Sequence, residues 1–232
     1  MNELGNGLVR AVQLILSGDS ALVEIVLLSL RVTGLALLLS SLVGIPAGAA
    51  LGLSRIRARG LVTAFLYTGM GLPPVVVGLF VYLLLSRSGP LGMLGWLFTP
   101  SAMVAAQVII AFPLVAGLTM TAVQSVDPGL RLQARALGAT RFQEAWTVIR
   151  EARIGVVAAL VAAFGSIISE VGAVMLVGGD IEGKTRVLTT AIVLNTRTGE
   201  FEQALALGII LLLLAFLANI AMLRLQGRVR NN

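Results

Sequence analysis

One stretch of this chain spells a phosphate site letter for letter. Gly178 to Thr185 reads GGDIEGKT, the G-x-x-x-x-G-K-[ST] pattern in which backbone amides cradle phosphate, Lys184 reaches the terminal phosphates and Thr185 holds magnesium. Such a loop needs a parallel sheet around it and a later hydrophobic strand ending in a metal-binding aspartate. The sequence offers neither, since a long apolar run precedes the loop and another follows it, so the match is expected to carry no nucleotide. A second chemical candidate is Glu170, a carboxylate within an apolar run, where a charge is costly and implies a purpose and a partner. The chain has no cysteine and no histidine. That removes thiol nucleophiles, disulfides, Ser-His-Asp triads and the common zinc sites. With one glutamate and no histidine, cysteine or aspartate in the apolar runs, no catalytic constellation and no metal site is expected.

The third candidate is a polar interval from Val126 to Arg153, VDPGLRLQARALGATRFQEAWTVIREAR, with five arginines. Asp127 suits an N-cap and Pro128 a first helical position. Leu130, Ala134 and Leu137 recur at helical spacing as an apolar face, while Arg131 and Arg135 share another. Gly138 suits the left-handed close of that helix. Thr140 and Gln143 have capping-box spacing for a second helix, whose apolar side is Phe142, Ala145, Trp146 and Ile149. The expected form is helix, glycine turn, helix. On spacing alone, an amphipathic surface hairpin and a docking handle account for it equally.

The elements that must position these residues are membrane spans. The chain of 232 residues is 57% hydrophobic and 12% charged, against about 25% charged in soluble domains. An all-α integral membrane protein with five transmembrane helices is expected, at about 25–53, 61–85, 101–123, 154–177 and 203–223. An interfacial helix within 1–24 precedes them, with Leu8, Val12 and Ile15 along one side, and a basic tail, 224–232, follows. Gly44, Gly48 and Gly52 give the first span a face for close helix approach, read as packing. Gly69, Gly71, Pro73, Pro74 and Gly78 break the second span inside the bundle, where a break lines a path or serves as a plain kink. The third contains Gln107 and Pro113, and the fourth buries Ser169 and Glu170. Trp96 and Phe98 are interface anchors, Arg31 snorkels or faces an aqueous cavity, and 180–202 is a polar segment.

Of the seventeen Arg and Lys residues, eleven fall in the first loop (Arg55, Arg57, Arg59), the 126–153 interval and the tail. The positive-inside rule makes those three segments cytoplasmic, with the N-terminus outside and the C-terminus inside. The net charge of +6 is then topology, and nucleic-acid binding is not expected.

The 126–153 interval resembles the cytoplasmic coupling loop of ABC importer permeases. Ala134, Gly138 and Val148 stand at that motif's second alanine, glycine and apolar position, while Leu132, Gln133 and Glu151 depart from its glutamate, first alanine and following proline. Ser169 to Ala173 (SEVGA), the following GGDIEGKTRVLTTAI, LSLRVTGLALLLSSLVGIPAG and LPPVVVG are similar to oxyanion importer permeases, most of all the tungstate branch, with molybdate and sulfate permeases as neighbours. The likeness covers about Leu28 to Met222. It implies a type I (MetI-like) architecture in a prokaryotic plasma (inner) membrane, a homodimer enclosing the path, and an extracytoplasmic substrate-binding protein. It further implies separate cytoplasmic ABC ATPase subunits that carry ATP and magnesium, so that this chain holds no cofactor and is no enzyme. Leu130, Ala134, Arg135, Leu137 and Gly138 are the expected ATPase contacts. Arg31, Pro73, Pro74, Glu170, Gly172, Thr185, Arg186, Thr189 and Thr190 are the expected path or gate residues, with helix packing an equal account of the last two. Glu170 would repel an anion, so a structural or gating partner, such as an arginine, is expected for it. The competing reading is a channel or carrier that runs without an ATPase.

Overall fold

In hydrocarbon, backbone N–H and C=O groups have no water to bind, so a chain this apolar must close its hydrogen bonds within helices. The computed structural model describes residues 2–18, 20–54 and 59–230, and every regular element among them is helical. Arg55, Arg57 and the last two residues of the tail lie outside the described residues. The helices are α1 (Asn2–Ser17), α2 (Ser20–Leu53), α3 (Arg59–Met70), α4 (Pro74–Leu85), α5 (Pro100–Gln124), α6 (Pro128–Ala136), α7 (Arg141–Glu151), α8 (Arg153–Ile168), α9 (Gly172–Gly178), α10 (Leu188–Thr198) and α11 (Phe201–Arg230).

Ser20–Leu53, Pro100–Gln124 and Phe201–Met222 are each long and apolar enough to cross a membrane. Counting each of two bent pairs, Gly60–Met70 with Pro74–Leu85 and Arg141–Glu151 with Arg153–Ile168, as one span raises the number to as many as five. With 34 residues, α2 is about 51 Å long, well beyond a hydrocarbon core of about 30 Å. The second expected span divides where the prolines require it: α3 ends at Met70, Pro73 is extended (φ −61°, ψ 121°) and Pro74 opens α4. The fourth divides as well, where the sequence pattern predicts continuous helix. Between α8 and α9 the chain leaves helical geometry at Ser169–Val171, leaving Ser169 exposed and Glu170 half-buried instead of buried.

The chain forms two compact units. The first comprises Met1–Ala36, Pro73–Gln107 and Gly165–Ile220, the second Leu37–Leu72, Val108–Phe164 and Ala221–Asn232. In the first unit, Ala11 and Leu14 of α1 share a core with Leu22, Leu188, Ala191, Ala206, Leu207 and Ile210. Helix α1 therefore buries one stripe while Leu8, Val12 and Ile15 face outward, the geometry of a helix lying in an interface. Half of the expected polar segment is α10, whose buried face is Leu188, Thr189, Thr190 and Ala191. Two threonines on the buried side mask its period.

In the second unit, the glycine stripe of α2 meets α5. A Cβ on Gly44 would lie 3.0 Å from Val115 Cγ1, one on Gly48 would land on the Ala116 carbonyl oxygen, and one on Gly52 would lie 2.7 Å from Val123 Cγ1. The two helices approach through missing side chains. Gly48→Leu is expected to force them apart and lower the melting temperature of the solubilised protein by several degrees, read by thermal unfolding; an unchanged melting temperature would refute the close approach.

Candidate functional site

The hairpin from 126 to 153 follows its local sequence closely. Asp127 Oδ1 accepts from Gly129 N–H at 2.8 Å, and Pro128 is the first residue of α6. Gly138 sits at φ +81°. Gly138 N–H donates to Arg135 O and Ala139 N–H to Ala134 O, the paired bonds that stop a helix at a left-handed glycine. Thr140 and Gln143 exchange the capping-box bonds that open α7.

Glu144, which no spacing singles out, holds the two helices together. Its carboxylate accepts from Arg131 Nε at 2.8 Å and from Arg135 Nε and Nη2 at 2.8 and 3.0 Å. Its side chain is 6% exposed, and the bonds to Arg135 first, then to Arg131, hold its carboxyl down from 4.5 to about 2. Arg131 Nη2 also reaches Leu53 O at 3.4 Å at the end of α2. Val148 is buried with Ala49 of α2, Val123 of α5 and Ala152. The hairpin is thus cross-braced within itself and rooted in two long helices.

Its apolar face is not the one the spacing suggests. Leu130 and Ala134 are half-buried, and Leu130 lines a cleft of about 570 Å³ together with Ala122, Val126 and Ile154. Leu137 lies one residue past the end of α6 and is 88% exposed. The outward apolar residues are Leu132 (68%), Leu137, Phe142 (78%) and Trp146 (61%). Arg135 is exposed but committed to Glu144.

The expected path residues all belong to the first unit. Arg31 is exposed on α2. Gly172 opens α9 against α4: a Cβ there would lie 2.6 Å from Val75 Cγ2, and one on Gly78 would lie 2.6 Å from Ala173 Cα. Glu170 has no arginine partner among the described residues. Instead its Oε1 accepts from Ala173 N–H at 2.9 Å, and its carbonyl accepts from the Thr189 hydroxyl at 3.0 Å. Thr185 is fully buried, donating to Gly178 O at 2.7 Å and accepting from Ile181 N–H at 2.9 Å. It staples the loop shut, and no strand flanks it among the described residues, so the phosphate-loop spelling lacks its geometry. Arg186 lies 3.4 Å from Asp180 and 3.2 Å from Glu182. Thr190 is buried and accepts from Val187 N–H at the start of α10.

A sequence profile described as binding-protein-dependent transport system inner membrane component matches residues 44–231. A probable anion ABC transporter permease protein of Haloferax volcanii is 47% identical, covering 89% of this chain and 91% of its own. The tungstate uptake system permease protein TupB of Peptoclostridium acidaminophilum is 38% identical over 97% of this chain and 99% of its own. In fold, the chain is similar to the inward-facing MetNI methionine ABC transporter, with a TM-score of 0.77 at 21% identity over 91% of this chain and 97% of that one.

A depressed carboxylate pKa contributes stability that is full above about 4.5 and is lost as pH falls toward 2. Amide protection factors in α6 and α7 are expected to drop through that window, and Glu144→Gln is expected to show the loosened hairpin already at neutral pH. Protection independent of pH in the wild type would show that the two arginines do not hold the hairpin.

Proposed function

The chain belongs to the family of binding-protein-dependent transport system inner membrane components, and on that premise we propose that it is the permease subunit of an ATP-driven importer for a tetrahedral oxyanion, tungstate first. Molybdate and sulfate are the alternatives, since all three are dianions of the same shape and the delivering protein would do much of the selecting. The reading of the substrate draws on the TupB relative, similar over nearly its whole length.

One observation carries the mechanism: a braced hairpin presenting the exposed apolar side chains of Leu132, Leu137, Phe142 and Trp146. Exposed side chains of this size mark a contact surface. In this proposal a cytoplasmic ABC ATPase takes them into a groove, supplies ATP and magnesium, and rocks the permease between outward and inward states. The charge bias supports a cytoplasmic hairpin, an outside N-terminus and an inside C-terminus. A second copy of the chain would complete the path, fed from outside by a substrate-binding protein. Arg31, Pro73, Pro74, Glu170, Gly172, Thr185, Arg186, Thr189 and Thr190 would then frame the path; the three threonines act by holding its backbone, because their hydroxyls are committed within the chain. Glu170 and the break at Ser169–Val171 would be the gate.

Three measurements test this. Leu137→Asp and Trp146→Asp are expected to abolish copurification of the ATPase while leaving the permease folded; retained copurification would exclude these side chains as the contact. Gly138→Val, strained at φ +81°, is expected to lower ATP-driven tungstate uptake at least tenfold in a strain lacking the gene, compared with molybdate and sulfate uptake in the same cells. Because the chain has no cysteine, Gln133→Cys gives a single label, expected to react with an impermeant reagent only from the cytoplasmic side. Labelling from outside would reverse the orientation.

A further inference from the structure

Beside the break between α8 and α9, five oxygen-bearing side chains of one unit line a cavity of about 10 Å³: Ser29 and Thr33 of α2, Gln107 of α5, Glu170 and Thr189. That is room for one guest the size of a water. Ser29, Thr33, Gln107 and Thr189 are each more than nine-tenths buried.

Three of the donors around this cavity are already committed. Gln107 Nε2 donates to Ile167 O at 3.0 Å, Thr189 Oγ1 to Glu170 O at 3.0 Å and Ser29 Oγ to Ile25 O at 2.7 Å. Acceptors remain. Gln107 Oε1 is buried without a hydrogen-bond partner, and only one oxygen of Glu170 is held, by Ala173 N–H. No cationic side chain pairs with this carboxylate among the described residues. These orphan oxygens, one of them on a carboxylate, favour a guest that donates or carries positive charge, and it must be small. An oxyanion fails on both counts.

Charge separates the remaining guests. A water satisfies the orphan amide oxygen but leaves the carboxylate uncompensated within a membrane span, the costly arrangement. A hard monovalent cation takes carboxylate, amide and hydroxyl oxygens together, and in secondary transporters backbone carbonyls at a helix break coordinate sodium. We propose that this cavity binds a sodium ion. The absence of cysteine and histidine excludes the softer metal sites, not an oxygen cage of this kind. The role of the ion rests on the oxyanion reading: bound sodium cancels the charge of Glu170 where a dianion would otherwise be repelled.

The test is binding of radioactive sodium to the full chain purified in detergent, with melting curves in sodium chloride and in N-methylglucamine chloride at equal ionic strength. Sodium is expected to bind saturably and to raise the melting temperature by several degrees. Glu170→Gln, which keeps an acceptor for Ala173 N–H, is expected to lose both effects. Thr33→Val, which removes only a hydroxyl, is expected to weaken sodium binding about tenfold. Identical melting curves in the two salts, or sodium binding that survives in Glu170→Gln, would overturn the site. Because binding is read without transport, sodium bound with no oxyanion uptake would sink the transport reading alone; uptake with no sodium bound would sink only the ion.

Discussion

A peptide group left unpaired in hydrocarbon costs several kcal/mol, and that constraint orders this structure. The chain interrupts its apolar helices at 71–73, at 169–171 and again through 179–187, so each interruption needs partners from elsewhere. At the second, Gln107 caps Ile167 O, Glu170 caps Ala173 N–H and Thr189 caps Glu170 O. At the third, Thr185 binds both the start and the middle of the loop. Residues that look chemical in the sequence thus have a structural duty first. Their hydroxyls and amides are used before any solute arrives.

What can be read from the sequence is local. The caps at Asp127 and Thr140, the glycine turn at 138 and the break at Pro73–Pro74 each depend on neighbours within four residues, and each stands where the spacing puts it. Glu144 is illegible there because its partners lie 13 and 9 residues away and face it only once the turn has formed. Arg131 and Arg135 can be placed on one helical face, but their counterion cannot be named. Similarly, the stripe of Gly44, Gly48 and Gly52 announces a close approach without saying that α5 makes it. The break at Ser169–Val171 has no proline to announce it, and α10 hides its buried face behind threonines.

The phosphate-loop spelling shows the reverse case, in which letters match and geometry does not. A functional loop of that kind directs its amides outward at a ligand. Here Gly178 O and Ile181 N–H turn inward onto one buried hydroxyl, and Lys184 is left exposed. Motif and fold agree only where the surrounding scaffold does.

The rooting of the hairpin has a mechanical consequence. A lever transmits torque only as far as it resists bending, and a joint that yields dissipates the stroke. With Glu144 as a crossbar and Val148 wedged between α2 and α5, a push on Trp146 has little slack to take up before those two long rods must turn. Softening the crossbar would leave the exposed apolar side chains in place and still let such a push dissipate as local flexing.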